Sequence, residues 1–169
     1  MITMQNFVTC DLLDDHEDLA IQVLSPVING LKFQSYGGHT RFAGQAVTVK
    51  CFEDNSRVKE LLATDGTGKV LIVDGVASLN CALMGDMIAE SAVKFGWQGV
   101  IIIGCVRDVE QLATMDLGVY ALASTPRKSV RKGVGETNIR LNIANVIVEP
   151  NDYIYADANG IIIAKQALL

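Results

Sequence analysis

The sequence predicts a single α/β domain in which a parallel β-sheet carries an antiparallel flank. The chain has 169 residues, and 50% of them are hydrophobic, which is enough for one domain with a substantial core. Residues 70–124 alternate strand patterns with helical patterns, which is typical of parallel sheets. After Pro126 the pattern changes to short β-rich runs separated by turn residues. We therefore expect residues 1–169 to form one domain without a linker or an internal repeat.

The first half of the chain is predicted to contain two helices and two strands. An acidic cluster at residues 11–18 indicates the solvated side of a helix. Residues 45–51 alternate apolar and polar side chains, which predicts a strand. Asn55 is a suitable N-cap for a helix through residue 63, and the β-branched run at residues 70–73 predicts a buried strand.

The second half continues the alternation and then becomes β-rich. A helical pattern at residues 85–95 places Ile88, Ala92 and Phe95 on one face, and Gly96 follows it. The uninterrupted β-branched run at residues 100–103 predicts a strand covered on both faces. The remaining predictions are a helix at 109–115 and strands at 119–123, 138–144, 146–148, 153–156 and 161–164.

Composition and charge exclude several classes of protein. The formal net charge of −5 argues against general binding to nucleic acid or to anionic membranes. The most apolar run, residues 99–106, is too short to cross a bilayer. The cysteines form no CxxC pair, and the amino terminus lacks a signal-peptide pattern. These features predict a reduced, cytoplasmic protein, in which a metal site would need oxygen ligands.

Two polar pairs follow strands of the predicted parallel sheet. Gly85-Asp86 opens the helix after the 70–73 strand, and Arg107-Asp108 comes directly after the 100–106 strand. Ligands collect at the carboxyl ends of parallel strands, because loops and helix N-termini converge there. If the two strands are neighbours, both pairs face one cleft.

Each member of the two pairs has a distinct chemical use. The N–H groups of a helix N-terminus bind anions, and an arginine fork binds a carboxylate or a keto-acid oxygen. Aspartates are hard ligands suited to Mg²⁺ or Mn²⁺, and Mg²⁺ needs only one or two protein carboxylates. The candidate residues are Gly85, Asp86, Met87, Ile88 and Arg107 for substrate, Arg107 and Asp86 for catalysis, and Asp108 for the metal.

Simpler interpretations of these and other motifs remain open. Gly-Asp at a helix start is often plain capping, and Arg-Asp after a strand is often a loop ion pair. Residues 127–132, here called the basic segment, place four cations in six positions and indicate a solvated loop, or a contact with a partner or RNA. Residues 66–69 precede a strand rather than follow one, and Val70 stands where a phosphate loop has Ser or Thr, so they are predicted to form a turn.

The motifs together resemble one known family. Asp86, followed by twenty residues and then Arg107-Asp108, matches the D-x20-R-D motif of class II 4-hydroxy-4-methyl-2-oxoglutarate aldolases. The chain resembles, over nearly its whole length, the RraA-like family that these aldolases share with the regulator of ribonuclease E activity A. Further matching segments are residues 46–49, 53–55, 73–75, 85–86, 96–100, 104–108, 155–157 and 160–161.

The resemblance implies a fold, an assembly and an activity. The fold would be a three-layer β/β/α domain of the swivelling type, assembled as a homotrimer or a dimer of trimers with sites near subunit boundaries. The backbone at residues 85–88 would hold substrate, Arg107 would bind the keto acid, and Asp108 would help to bind a divalent metal. Such aldolases release pyruvate and a second keto acid from 4-hydroxy-4-methyl-2-oxoglutarate, and they decarboxylate oxaloacetate. A metal-bound water or a water held by Asp86 would remove the proton of the C4 hydroxyl.

A regulatory function is the alternative within the same family. Its regulator members bind ribonuclease E and inhibit RNA cleavage, and they lack the aspartate that Asp108 provides here. Residues 49–55 and 133–136 nevertheless look closer to the regulator branch. Some relatives have carried a methyltransferase name, but the chain has no GxGxxG loop after a first strand. The expected partners are a small keto acid, further copies of the chain and, in the alternative, ribonuclease E, with no direct contact to nucleic acid or membrane.

Overall fold

The computed structural model describes residues 6–169, so residues 1–5 of the predicted domain lie outside the described part. The helices are α1 (Thr9–Asp15), α2 (Ser56–Leu62), α3 (Asp86–Lys94) and α4 (Val109–Leu112). The strands are β1 (Gln22–Val23), β2 (Val27–Ile28), β3 (Leu31–Lys32), β4 (Gln34–Ser35), β5 (Phe42–Lys50), β6 (Lys69–Asp74), β7 (Ala82–Met84), β8 (Gly99–Val106), β9 (Gly118–Ser124), β10 (Glu136–Thr137), β11 (Leu141–Ile143), β12 (Val146–Val148), β13 (Tyr153–Asp157) and β14 (Gly160–Ala164).

A ten-stranded sheet organises the molecule, in the order β1-β14-β13-β5-β6-β8-β9-β4. Strands β5, β6, β8 and β9 run parallel, and antiparallel strands flank them on both sides. Two short strands lie off this path, because β7 pairs with β8 and β10 pairs with β5. The predicted α/β class, with a parallel centre and an antiparallel flank, is therefore confirmed.

Successive side chains of the central strands point to different layers. Leu71 and Val73 pack with α2, α3 and α4 on one face of the sheet. Val70 and Ile72 pack on the other face with the β2–β3 and β11–β12 hairpins. Because both faces are covered, the central strands are apolar on consecutive residues. The layers follow one another as hairpins, sheet and helices, which is the β/β/α arrangement that the resemblance implied.

The structure departs from the predicted elements mainly where they are short. The sequence does not predict strand β7, because its three residues include no β-branched side chain and no alternation of apolar and polar side chains. The predicted 109–115 helix ends at Leu112, and the predicted 138–144 strand is reduced to β11. Phe95 is 36% exposed rather than buried, because it lies at the C-cap, beyond the last turn of α3.

Several smaller predictions are confirmed. The acidic residues of α1 are exposed, and residues 66–69 form a turn leading into β6. None of the helices in residues 6–169 has the length and apolar character needed to cross a membrane.

Candidate active site

The structure brings the two polar pairs together at the carboxyl end of the parallel strands. Strands β6 and β8 are parallel neighbours, with Val73 opposite Ile102. The backbone N–H of Asp86 donates a hydrogen bond of 2.9 Å to Oδ2 of Asp108. Gly85, Asp86, Met87, Ile88, Arg107 and Asp108 all line one pocket.

Arg107 and Asp108 are placed by the way β8 ends. The N–H of Arg107 donates a hydrogen bond of 2.9 Å to the carbonyl of Met84, which ties the residue after β8 to the end of β7. Asp108 then adopts a left-handed conformation with φ 56°, which turns the chain away from the sheet. Its carbonyl accepts a hydrogen bond of 2.9 Å from Leu112 N–H and thereby begins α4. Aspartate adopts this conformation more readily than most residues with a side chain.

Gly85 leaves the space that the Asp108 carboxylate occupies. Its backbone is extended, so its conformation does not itself require glycine. A Cβ atom at this position would overlap Oδ2 of Asp108 and would lie 3.2 Å from Nε of Arg107. The missing side chain therefore allows the carboxylate to reach the N-terminus of α3.

The first turn of α3 supplies free backbone donors to the pocket. Intrahelical bonding begins with the N–H of Ala89, which donates to the Gly85 carbonyl at 3.1 Å. The N–H groups of Met87 and Ile88 precede it and have no intrahelical acceptor. The Met87 side chain is 79% exposed, while that of Ile88 is buried. These two residues would therefore bind an anion through their backbone N–H groups.

Two cations of the basic segment also border this pocket, and sequence reasoning did not place them there. Lys128 and Arg131 line it together with Asn55 and Ala82. Residue 128 pairs in parallel with Ala82, at the start of β7. The side chains are exposed, as a solvated loop predicts, but two of them face the candidate site. No local signal reveals this position, because β7, which pairs with the segment, is remote from it in sequence.

Asp54 anchors the carboxyl-terminal end of the basic segment. It is only 3% exposed, and its carboxylate accepts hydrogen bonds from Ser56 and from the N–H groups of Lys132 and Val134. Burial alone would raise the pKa of this carboxyl, but these hydrogen bonds outweigh it and lower the pKa to about 2. The anchor is therefore a charged carboxylate at neutral pH.

Asn55 links the basic segment to the strand that precedes α3. Its Nδ2 donates to the Leu83 carbonyl at 3.1 Å, and its Oδ1 accepts from Nε of Arg131 at 3.2 Å. Its own N–H donates to Ser129 Oγ at 3.1 Å. Because one buried side chain bridges both elements, the arginine is held on the pocket side of the segment.

The pocket is electropositive in a chain of negative net charge. Three cationic side chains, from Arg107, Lys128 and Arg131, face two carboxylates, from Asp86 and Asp108. The pocket is small and open to solvent. This balance suits a small anion with more than one carboxylate.

The chemistry of the donors fits a hydrated divalent cation. One oxygen of Asp108 is engaged by the N–H of Asp86, and the other oxygen has no hydrogen bond within residues 6–169. The same part of the chain contains no group of three or more His, Cys, Asp and Glu side chains that could hold a metal. Mg²⁺ keeps several waters and binds through one or two carboxylates plus substrate oxygens, so the residues that would hold it here are Asp108 and Asp86.

The family can now be identified by comparison with known proteins. A sequence model of the RraA-like family, described as Aldolase/RraA, matches residues 9–163. The chain belongs to the RraA-like family. Two relatives of this RraA-like protein are named "Putative 4-hydroxy-4-methyl-2-oxoglutarate aldolase". The one from Acinetobacter baylyi is 64% identical over 100% of this chain and 99% of its own length. The one from Alcanivorax borkumensis is 56% identical over 96% and 99%.

Two solved structures of similar proteins have names other than aldolase. One is described as "Structure of the RNA-processing inhibitor RraA from Thermus thermophilis". It is 39% identical, with a TM-score of 0.89, and the match covers 96% of this chain and 94% of the other. A chain from Geobacillus kaustophilus HTA426 is described as an S-adenosylmethionine: 2-dimethylmenaquinone methyltransferase. It is 42% identical, with a TM-score of 0.90 over 96% and 97% of the two chains. The names of the Acinetobacter and Alcanivorax relatives support the aldolase interpretation, and the two solved structures share the fold.

Proposed function

We propose that this RraA-like protein is a divalent-metal-dependent class II aldolase. It cleaves 4-hydroxy-4-methyl-2-oxoglutarate and similar compounds to pyruvate and a second keto acid, and it decarboxylates oxaloacetate. The observation that carries the proposal is the meeting of Arg107, Asp108 and the N-terminus of α3 in one pocket. The aldolase names of relatives that span nearly the whole chain support the same reaction class.

The keto-acid end of the substrate binds between the helix and the arginine. The N–H groups of Met87 and Ile88 receive the carboxylate, because a helix N-terminus favours an anion through its donors and its dipole. The guanidinium of Arg107 binds the 2-keto oxygen from the side of β8. Asp108 remains within reach of α3 because Gly85 has no side chain.

Both proposed reactions leave an electron pair on the carbon that becomes C3 of pyruvate. In the retro-aldol reaction the C3–C4 bond breaks after the C4 hydroxyl loses its proton, and in the decarboxylation carbon dioxide leaves. The electron pair delocalises onto the 2-keto oxygen, where the fixed charge of Arg107 stabilises it. A bound divalent cation, held by Asp108 and Asp86, would supply further Lewis-acid stabilisation of that oxygen. Asp86 orients the water that accepts the hydroxyl proton, and C3 is finally protonated from solvent.

The test is pyruvate release from oxaloacetate in the presence of Mg²⁺, corrected for the rate with metal alone. We expect Arg107→Ala and Asp108→Ala each to lower the enzymatic excess by about 100-fold or more, because each removes a preorganised charge. Glu110→Ala, on the exposed side of α4, is the matched control and should keep the wild-type rate. EDTA should abolish the excess. Equal release by the wild type and both site variants would refute the catalytic assignment.

We also propose that the protein forms a homotrimer or a dimer of trimers. Five apolar side chains are exposed in the segments that follow β5, β6 and β9. Exposed apolar side chains that lie together are typical of surfaces covered by another chain. The five are Phe52, Val76, Leu79, Val130 and Val134. Light scattering during size-exclusion chromatography should give three or six times the 18.2 kDa chain mass. A monomeric mass at micromolar concentration would refute this part of the proposal.

Binding to ribonuclease E is the second candidate function. It is favoured by the 39% identity to a protein described as an RNA-processing inhibitor. A regulator would bind the ribonuclease and slow RNA cleavage equally well with Asp108→Ala, since that substitution acts on the pocket alone. The absence of a complex in a binding assay would count against this candidate and would leave the aldolase test unaffected.

A further inference from the structure

We propose that Arg131 determines substrate specificity by binding the carboxylate at the far end of a dicarboxylic keto acid. The inference rests on the proposed function, since it assumes that the keto-acid end of the substrate binds at Arg107 and α3. It assigns to the basic segment a role in selecting the length and charge of the substrate.

The position of Arg131 is the first argument. It lines the pocket that contains Arg107 and Asp108, and it also lines a second, larger cavity between α2 and α3. Met87 and Ile88 border both cavities as well. Arg131 therefore lies where the pocket opens into the second cavity. A substrate whose first carboxylate lies on the N-terminus of α3 can extend towards it.

The way in which Arg131 is held is the second argument. Its Nε donates to Oδ1 of Asn55 at 3.2 Å, and this is its one side-chain hydrogen bond within residues 6–169. None of the ion pairs in that part of the chain includes Arg131. Its two terminal nitrogens are therefore free to form a bidentate pair with a carboxylate, and the bond to Asn55 orients them in advance.

The other cations of the segment are less suited to this role. Lys128 lines the same pocket, but among residues 6–169 it has no side-chain partner that would orient its ammonium group. Lys132 lines neither cavity, and its backbone N–H donates a hydrogen bond to Asp54. Lys132 is therefore a matched control for charge within the same segment.

The experiment measures binding of two unreactive ligands by titration calorimetry in the presence of Mg²⁺. In 2-oxoglutarate the far end is a carboxylate, and in 2-oxopentanoate a methyl group replaces it. The wild type should bind 2-oxoglutarate about tenfold or more tightly than 2-oxopentanoate, as a charge-assisted bidentate pair predicts. Arg131→Gln should bring the two affinities within about threefold of one another, through weaker binding of the dicarboxylate alone, and Lys132→Gln should keep the wild-type preference.

Three results would overturn the inference. They are the lack of a preference in the wild type, the same preference in Arg131→Gln, and an equal loss of affinity for both ligands in that variant. Pyruvate release is measured separately. A dicarboxylate preference that depends on Arg131 in a protein that releases no pyruvate would refute the proposed function and support the inference. Pyruvate release without that preference would support the proposed function and refute the inference about Arg131.

Discussion

At the scale of single residues, Gly85 controls the position of the Asp108 carboxylate. We predict that Gly85→Ala lowers pyruvate release by about 10- to 100-fold, because its Cβ would displace Oδ2 of Asp108 and crowd Arg107. Steady-state kinetics and circular dichroism would measure the loss and the retention of the fold. Gly104→Ala is the control, since a Cβ there would lie 3.5 Å from its nearest neighbour, Leu83 Cδ1. A wild-type rate in Gly85→Ala would contradict the geometry of the pocket.

The four cysteines differ in environment, and their reactivity should follow it. Cys10 is exposed, whereas Cys51, Cys81 and Cys105 are buried. Burial raises the pKa of all three buried thiols, and the charges of Asp54 and Asp74 help to bring that of Cys51 to about 12. We predict one rapidly reacting thiol in the native protein and four after denaturation, in a colorimetric disulfide-exchange assay. Rapid reaction of a second native thiol would contradict this assignment, and Cys10→Ser should abolish the rapid phase.

At the scale of secondary-structure elements, the amino-terminal ends of the parallel strands share one aromatic side chain. Phe42, at the start of β5, is fully buried, and a Cβ at either Gly99 or Gly118 would overlap its ring. Both glycines lie at the first position of their strands, β8 and β9. The ring therefore fills the space that two missing side chains leave on neighbouring strands.

We predict that Phe42→Ala lowers the free energy of unfolding by about 3–5 kcal/mol, because it leaves a cavity between these strands. Urea denaturation followed by circular dichroism would measure it. Leu169→Ala is the control, since Leu169 is 56% exposed and its loss should change stability by less than about 0.5 kcal/mol. Phe42→Ala should keep the wild-type rate below its melting temperature, because Phe42 lies at the end of the strands opposite the pocket. Equal stability of the two variants would contradict the role of the ring.

Long elements were predicted more reliably than most of the short strands. Strands β6, β8 and β9 and helices α2 and α3 each have six residues or more, and all of them were predicted close to their observed bounds. The strands β1 to β4, β7 and β10 have two or three residues each and were not predicted, whereas the equally short but β-branched β12 was predicted with its observed bounds. The unpredicted short strands form because a neighbouring strand offers hydrogen bonds, and no local pattern records that neighbour.

At the scale of the whole molecule, Asp54 makes stability depend on pH. Its pKa is about 2 in the folded protein and 3.8 ordinarily, so the folded state favours the charged form. The resulting stabilisation is complete above about pH 4 and is lost as the pH falls towards 2. We predict that Asp54→Asn is less stable than the wild type at pH 6 and that the difference shrinks between pH 4 and pH 2.

Thermal denaturation of both proteins from pH 2 to pH 6 would measure this convergence. Glu110→Gln is a suitable control, because that side chain is exposed on α4 and makes no hydrogen bond within residues 6–169. A difference between Asp54→Asn and the wild type that stays constant over the whole range would contradict the role of the charged carboxylate. In Asp54→Asn, the backbone N–H groups of Lys132 and Val134 also lose their charged acceptor.

The sequence by itself determined the fold class, the longer elements and the two polar pairs that meet in the pocket. Each of these depends on residues close together in the chain, through periodicity, capping and the position of a strand end. Only the tertiary structure decided that Asn55, Lys128 and Arg131 border the same pocket. Their positions depend on contacts that cross the chain, such as the pairing of residue 128 with Ala82 and the hydrogen bonds to Asp54. Side chains placed by such contacts lack a local signal, because the elements that position them are distant in sequence.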